Sequence, residues 1–327
     1  MDLTAHAFWL LRPGEGEIRP VQLTPPGPDE VLVRTLFSGV SRGTETLVFR
    51  GGVPDSQHAL MRAPFQDGDF PAPVKYGYLN VGVVEAGEPD LVGRTVFCLY
   101  PHQTRYVVPA SAVTVVPDSV PSERAIMAGT VETAVNAVWD AAPLLGDRIA
   151  VIGAGMVGSS VAAVLAKFPG VRVQLVDVDA SRAAVASALG VEFVSPEEAA
   201  EGCDLVVHAS ATSAGLTRAL ELLTPEGTVV ELSWYGDKQV SVPLGEFFHS
   251  RRLVVRSSQV GVIPQARRGR HTYASRLALS LDLLADPVFD ALITGSSDFA
   301  DLPSVMPQLA DGRLPALCHR IVYPSGG

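Results

Sequence analysis

A glycine-rich hexapeptide near the middle of the chain has residue types and spacing suited to binding a phosphate group. It reads Gly153-Ala154-Gly155-Met156-Val157-Gly158 and follows an apolar run, Arg148 to Ile152, that is typical of a buried strand. The first glycine permits a tight strand-to-helix turn, the second lets backbone approach a pyrophosphate, and the third lets helix and strand pack closely. Because the following helix offers unpaired N–H groups at its start, the motif predicts a dinucleotide site.

An acidic residue stands where such a site would meet a ribose. Asp177 ends the second predicted strand, 24 residues after Gly153. Its carboxylate could accept hydrogen bonds from adenosine ribose hydroxyls and would repel a 2′-phosphate, which favours NAD over NADP. Arg182, one turn into the next helix, could bridge to a ribose or a phosphate and weakens that preference.

Two kinds of hydrophobic pattern divide the chain. Short β-type runs broken by Gly and Pro fill Glu30 to Pro117 and predict a small barrel-like β domain. Beyond Gly146, strands and helices alternate in six βα-like steps, as in a doubly wound domain with helices on both faces of a parallel sheet. The strands of those steps are expected at Arg148–Ile152, Val171–Asp177, Val191–Val194, Asp204–His208, Thr228–Leu232 and Leu253–Ser257. A helical stretch follows, and the final CHRIVYP is expected to be a strand that rejoins the first domain.

The order of these segments resembles that of the medium-chain dehydrogenase/reductase family. SGVSRGTE, PVKYGYLNVGVV and AGTVETAVNAV are similar to the three segments that carry the catalytic zinc ligands of zinc-dependent members. The matching residues here are Ser41, Tyr78 and Ala128, none of which is a plausible thiolate or imidazole ligand, so no metal is expected. The resemblance implies an α/β chain with a GroES-like β-rich catalytic domain, residues 1–126 and 264–327, and a doubly wound NAD-binding Rossmann domain, residues 127–263.

Within this family, SGVSRGTETLVFRGGVP most resembles a zinc-free branch that includes bacteriochlorophyllide dehydrogenases. The resemblance assigns Arg42 to the cofactor pyrophosphate, a role suited to a bidentate guanidinium. In zinc-dependent members a side-chain hydroxyl takes part in a proton relay. The matching position here is Gly43, so that relay is either missing or formed by other residues. Family members commonly pair Rossmann edge strands, and the resemblance therefore implies a homodimer.

Three residues on the former ligand segments could handle a hydroxyl proton or a developing oxyanion in the absence of zinc. Tyr78 is the best candidate, although its ordinary pKa of about 10 would have to fall for efficient base work. Ser41 and Glu132 are the others, Glu132 standing where the family places a small hydroxyl residue near the nicotinamide. The alternatives are structural: Tyr78 as a core residue and Glu132 as a carboxylate at a helix start.

Histidines and a basic segment remain as further candidates. His208 ends the fourth Rossmann strand, close to the expected nicotinamide position, although a lone histidine there is more often structural. His102 and His319 are weaker candidates, the latter near a family position that can contact the pyrophosphate. The segment QARRGRH, residues 265–271, is typical of a solvated loop but could receive an anionic substrate group.

Composition excludes several classes of protein. The chain has 327 residues, 47% of them hydrophobic and 18% charged, with a net charge of −10, which disfavours a nucleic-acid partner. Its three cysteines form no CxxC pair. No basic leader precedes the first apolar run, and no run approaches the roughly 20 residues needed to cross a membrane. We therefore expect a cytoplasmic protein acting on a small-molecule substrate, ordered throughout except at the tail, 325–327.

The leading functional hypothesis is an NAD-dependent enzyme that interconverts a secondary alcohol and a ketone without zinc. A second hypothesis is reduction of a carbon–carbon double bond in an enone or quinone, which tolerates the loss of a fixed acid because water can supply the proton. A third is a catalytically silent nucleotide-binding module. The sequence does not name a substrate.

Overall fold

The computed structural model describes residues 3–324, and the chain divides into two compact units. One comprises the described residues up to Gly129, Leu281–Ala285 and the described residues from Ile293 onward; the other is Thr130–Ser280 with Asp286–Leu292. The domain bounds expected from the sequence, 1–126 and 264–327 against 127–263, differ from these units mainly in the segment that follows residue 263, and they stay a prediction. Arg276 bonds Glu132 and Asn136, so the start of the helix that carries it belongs with the Rossmann unit. The expected disordered tail lies outside the described residues.

The first unit is built mainly of β-strands. Its strands are β1 (Thr4–Arg12), β2 (Glu15–Gln22), β3 (Glu30–Ser41), β4 (Asp67–Gly68), β5 (Val74–Lys75), β6 (Asn80–Gly87), β7 (Thr95–Cys98), β8 (Arg105–Pro109), β9 (Val113–Val115), β16 (Ile293–Asp298) and β17 (Cys318–Val322). One sheet has the order β2-β1-β5-β4, and the other has the order β16-β17-β3-β6-β7-β9, with β8 also paired to β3. Alternating residues such as Val31, Val33 and Val84 form its core.

The short β-type runs expected between Glu30 and Pro117 are confirmed as the strands β3 and β6 to β9. The return strand β17 pairs antiparallel with β3, with Cys318 opposite Ser41, so the end of the chain does rejoin the first domain. Four strands were not expected, the two-residue strands β4 and β5 and the longer strands β2 and β16. β2 pairs with β1 in a hairpin, and β16 runs parallel to β17.

The second unit is a doubly wound sheet of six parallel strands. They are β10 (Arg148–Ile152), β11 (Arg172–Val176), β12 (Glu192–Val194), β13 (Cys203–His208), β14 (Leu223–Glu231) and β15 (Val254–Ser257). Their order is β12-β11-β10-β13-β14-β15, which confirms the six βα steps. The order reverses direction at β10, and ligands of such sheets bind beyond the carboxyl ends of the strands at that point.

Helices complete both units. They are α1 (Arg42–Phe49), α2 (Ser122–Ala125), α3 (Ala128–Ala141), α4 (Met156–Leu165), α5 (Ala183–Leu189), α6 (Ser213–Glu221), α7 (Phe247–Ser250), α8 (Tyr273–Leu283) and α9 (Leu302–Asp311). Short 3₁₀ segments cover Asp55–Gln57, Ala110–Ala112, Ala180–Arg182, Pro287–Leu292 and Phe299–Asp301. Within the described part of the chain, no helix has both the length and the apolar character required to cross a membrane.

Candidate dinucleotide and catalytic sites

The glycine-rich loop joins β10 to α4 as the sequence predicts. Gly153 has a φ of +104°, and a Cβ on Gly158 would lie 1.9 Å from the Gly153 carbonyl oxygen, so the helix packs against the loop at backbone distance. Gly155 differs because it is exposed and a Cβ there would have nothing within 4 Å. It caps α4 without a side-chain hydrogen bond, which leaves the first-turn N–H groups of Met156 and Val157 for a ligand.

Asp177 follows β11 and is held against this loop. Its Oδ2 accepts a hydrogen bond from the Ala154 N–H at 2.7 Å, and its Oδ1 accepts one from the Asp179 N–H at 2.9 Å. Arg182 forms an ion pair with Asp179 at 3.2 Å. The predicted acid and glycines therefore meet at the carboxyl ends of β10 and β11. The charge of the neighbouring Arg182 is partly neutralised by Asp179.

A second polar cluster lies at the carboxyl ends of β13 and β14. His208 is fully buried; its Nδ1 is 2.7 Å from Glu231 Oε2, and its Nε2 is 2.7 Å from Ser210 Oγ. The Tyr235 hydroxyl donates to the same Glu231 oxygen at 3.0 Å. Burial acts to raise the pKa of Glu231, but the hydrogen bond and charge of His208 outweigh it, so that pKa is lowered. We call the set His208, Ser210, Glu231 and Tyr235 the strand-end cluster.

Tyr78 and Ser41, predicted from two separate segments, come together in the β-rich unit. The Tyr78 hydroxyl is hydrogen-bonded to the side chains of Ser41 and Thr44. Burial, followed by the charge of Glu45, raises the pKa of Tyr78 to about 12. Tyr78 is therefore a neutral hydroxyl near pH 7, able to donate a hydrogen bond but unsuited to act as a base.

Behind these residues lies a fully buried chain of polar groups. Glu45 accepts the Ser41 N–H at 2.7 Å through Oε1, and its Oε2 is 2.8 Å from His102 Nε2. His102 Nδ1 is 2.7 Å from Ser38 Oγ, which is 2.9 Å from the Tyr323 hydroxyl. We call the set Ser38, Glu45, His102 and Tyr323 the buried cluster, and it links β3, α1 and the segment that follows β17.

Glu45 also borders a small pocket in this unit. The other lining residues are mainly apolar and include Phe8, Val48 and Met306, with Tyr76 as the second polar group. Burial, with the charges of Tyr78 and Glu45, raises the pKa of Tyr76 well above its ordinary value. The pocket thus combines an apolar wall with one carboxylate and one neutral hydroxyl.

Glu132 is engaged in an ion pair within the Rossmann unit. It lies in α3 and receives a hydrogen bond from Arg276 Nε at 3.0 Å, with both side chains almost fully buried. Burial raises the pKa of Glu132, and Arg276 acts against that rise. Ala128, the third former ligand position, is the fully buried first residue of α3. Glu132 and Tyr78 belong to different compact units.

The remaining candidates have ordinary polar contacts. Arg42 opens α1 and donates to the Ala316 carbonyl at 3.4 Å. His319 is 2.8 Å from Ser297 Oγ through Nε2, and burial lowers its pKa. In the basic segment, Arg267 and His271 both lie against the Trp139 ring. These contacts neither require nor prevent a ligand.

Sequence reasoning named His102 and His208 but missed the carboxylates that pair with them. Glu45 stands in the quoted SGVSRGTE segment, and Glu231 interrupts an otherwise apolar strand, VVELSW. An acidic residue inside an apolar strand was the available signal, because such a residue needs a partner when buried. Over the described residues, no group of three or more His, Cys, Asp or Glu side chains is arranged to hold a metal ion.

Comparison with known proteins bears on the fold. Residues 119–220 match the family model for the D-isomer specific 2-hydroxyacid dehydrogenase, NAD binding domain, which is under half of the chain. Comparison with curated protein sequences found no match.

Solved structures resemble the chain over nearly its whole length. Alcohol dehydrogenase TADH from Thermus sp. ATN1 is 21% identical with a TM-score of 0.75, covering 98% of this chain and 100% of its own. 2R,3R-butanediol dehydrogenase from Bacillus subtilis is 17% identical with a TM-score of 0.78, covering 97% and 99%. A short chain alcohol dehydrogenase from E. coli CFT073, complexed with NADH, is 18% identical with a TM-score of 0.77, covering 98% and 99%. The expected fold class, a GroES-like β-rich domain with a doubly wound Rossmann domain, is confirmed.

Proposed function

We propose that the chain is an NAD(H)-dependent oxidoreductase that interconverts a secondary alcohol and a ketone without a catalytic zinc ion. The observation that carries the proposal is the glycine-rich loop. Its backbone has free space at Gly155, packs closely against the helix at Gly158 and is bonded to the carboxylate of Asp177. The TADH and butanediol dehydrogenase structures, which share the fold, are of alcohol dehydrogenases by name, and one neighbour is a complex with NADH. The matched family model is also an NAD-binding domain.

The residues around the loop fit a dinucleotide. Gly155, Met156 and Val157 would hold the pyrophosphate with backbone N–H groups, and Arg42 is proposed to add a guanidinium to it. Asp177 keeps a carboxylate at the ribose position, and Arg182 is already paired with Asp179, which supports NAD over NADP. The nicotinamide, when bound, would accept or donate the hydride.

The residues at the former zinc positions do not fit a metal ion. The Tyr78 hydroxyl is hydrogen-bonded to Ser41 and Thr44, and Ala128 has no donor atom. No step of the proposed reaction therefore passes through zinc, in keeping with the zinc-free branch that SGVSRGTETLVFRGGVP resembles.

Tyr78 is the proposed donor to the substrate oxygen. Because its pKa lies near 12, the hydroxyl stays protonated and can donate a hydrogen bond to a carbonyl oxygen as negative charge develops there. Ser41 is proposed to position that hydroxyl. Glu132 is kept as the second candidate for the proton, with its charge balanced by Arg276.

Reduction of a carbon–carbon double bond is the second candidate function. It is favoured by the absence of a lowered pKa at Tyr78 and by the engagement of Glu132 with Arg276. Such a reaction needs hydride delivery but can take its proton from water. A silent nucleotide-binding module remains the outcome if neither class of substrate is turned over.

We further propose that the protein works as a cytoplasmic homodimer. β15 is the edge of the parallel sheet, and Val254 and Val255 on it are 45% and 41% exposed. An exposed apolar edge strand needs a neighbour, and a second copy would supply one. Light scattering should give about twice the 34.5 kDa of one chain; a monomer at micromolar concentration would contradict it.

The test combines binding, turnover and metal analysis on untagged protein. Titration should show tighter binding of NADH than of NADPH, and Asp177→Ser should narrow that gap because the repelling charge is gone. Secondary alcohols with NAD should be turned over faster than enones with NADH, with no stoichiometric zinc and no effect of chelators. Equal binding of NADPH would refute the cofactor preference, and activity on enones alone would establish the second candidate.

A further inference from the structure

The strand-end cluster lies where a dinucleotide would pass on from the glycine-rich loop. β13 is the neighbour of β10 on the side away from β11, and Ser210 follows β13 by two residues. A Cβ on Gly153 would lie 2.8 Å from the Ser210 backbone nitrogen, so loop and cluster are in direct contact. Asp177, beyond β11, marks the adenosine side. Ser210 therefore stands on the nicotinamide side of the loop.

The hydrogen bonds of the cluster determine which nitrogen of His208 carries the proton. Glu231, with its lowered pKa, is a carboxylate that only accepts, so His208 Nδ1 must donate to it at 2.7 Å. The proposal concerns the neutral form of the His208 ring, in which the proton is on Nδ1 and Nε2 is the acceptor. The Ser210 hydroxyl, 2.7 Å from Nε2, accordingly donates its hydrogen to His208.

Ser210 Oγ keeps an acceptor site that no other residue of the described part of the chain fills. Thr212 Oγ1 accepts the Gly215 N–H at 3.0 Å and lies 2.9 Å from Ser210 Oγ, so its own hydrogen can point to Ser210. With one hydrogen given to His208 and one received from Thr212, Ser210 Oγ keeps one lone pair. The side chain is half-exposed, whereas His208 behind it is fully buried.

We propose that Ser210 is a cofactor-positioning residue whose Oγ accepts a hydrogen bond from the nicotinamide riboside half of the dinucleotide, and that Glu231 and His208 hold it in that accepting state. A ribose hydroxyl or a carboxamide NH₂ supplies such a donor. The inference rests on the proposed function, because it assumes that a nicotinamide dinucleotide binds at the loop.

Calorimetric titration with NADH and with AMP tests the assignment, because AMP carries only the adenosine side. Ser210→Ala should weaken NADH about tenfold, the effect of one lost hydrogen bond, and leave AMP unchanged. Glu231→Gln should weaken NADH similarly, because a glutamine can donate to His208 and reverse its tautomer. The double variant should lose little more than either single variant, since both act through one bond.

Two controls separate binding from folding. Ser187→Ala removes an exposed hydroxyl from α5 and should change neither affinity. Tyr235→Phe removes one bond to Glu231 but leaves the path from Glu231 to Ser210 intact, so NADH affinity should persist. NADH affinity that survives Ser210→Ala, or an equal loss for NADH and AMP, would overturn the assignment. A wild-type protein that binds AMP but not NADH would refute the inference and the dinucleotide function together, whereas NADH binding without turnover would refute only the proposed reaction.

Discussion

Each compact unit contains a histidine that is hydrogen-bonded through one ring nitrogen to a glutamate and through the other to a serine. A tyrosine hydroxyl is bonded to the serine in one unit and to the glutamate in the other. In the buried cluster the histidine–glutamate distance is 2.8 Å, and the two side chains are 2% and 3% exposed. In the strand-end cluster the histidine–glutamate distance is 2.7 Å, and the side chains of His208 and Glu231 are 0% and 11% exposed. The side-chain chemistry is nearly the same, so composition alone does not distinguish a structural network from a site.

The two clusters differ in what surrounds the serine. Ser38 lies within β3 and bonds both His102 and Tyr323, so its hydroxyl is enclosed by the chain's own groups. Ser210 lies beyond the end of β13, in the loop before α6, and is half-exposed. A polar network inside a sheet stabilises the packing of elements, whereas the same network at the carboxyl ends of parallel strands can present a group to a ligand.

The largest effect that would test this comparison is expected from Glu45→Gln. The change leaves His102 without its buried carboxylate partner, which costs about 3 kcal/mol of folding free energy. The melting temperature should fall by about 6 °C or more. Thermal unfolding by circular dichroism measures it, with Glu17→Gln, on an exposed ion pair with Arg19, as the control that should cost under about 0.5 kcal/mol. Equal shifts in the two variants would mean that the buried cluster does not brace the fold.

The second effect concerns Tyr78, whose hydroxyl is kept neutral by burial and by the charge of Glu45. Tyr78→Phe should lower kcat roughly ten- to a thousand-fold if the hydroxyl donates to the substrate oxygen, with NADH affinity unchanged. Steady-state kinetics and calorimetry together provide the measurement. Glu132→Gln is the comparison. A similar loss of kcat in that variant, with normal turnover in Tyr78→Phe, would assign the proton transfer to Glu132 and not to Tyr78.

The same two units show which features of the fold and of the candidate site can be predicted from the sequence. The apolar runs of β10 and β13 and the glycines at 153, 155 and 158 act locally, so strand, turn and helix follow from neighbouring residues. β2 and β16 were missed because EGEIRPVQ and ITGSSD are largely polar and are held by pairing with β1 and β17. The partnerships His102–Glu45 and His208–Glu231 span 57 and 23 residues, and only tertiary register brings them together.

A third, smaller effect distinguishes two roles of glycine in the glycine-rich loop: leaving room for a ligand at Gly155 and allowing close backbone packing at Gly158. Gly155→Ala adds a Cβ that meets nothing within 4 Å, so the melting temperature should stay unchanged while NADH affinity falls at least about tenfold because the phosphate loses that space. Gly158→Ala is the contrast, since its Cβ would lie 1.9 Å from the Gly153 carbonyl oxygen and should destabilise the unit itself. Wild-type NADH binding in Gly155→Ala would show that the dinucleotide does not lie over this loop.

The smallest expected effect is the pH dependence that Glu231 gives to the strand-end cluster. Its pKa in the folded protein is lowered below the ordinary value of 4.5, since the hydrogen bond and charge of His208 exceed the cost of burial. A carboxyl with a lowered folded pKa stabilises the fold fully above its unfolded pKa, and that contribution is lost as the pH falls through the folded pKa. Wild type should therefore melt above Glu231→Gln at pH 6, and the gap should close below about pH 4.5 as the carboxylate of the wild type is protonated. Paired melting curves between pH 3 and 6 measure the gap, and a gap that stays constant over that range would show that Glu231 contributes through packing alone and that its charge does not hold His208.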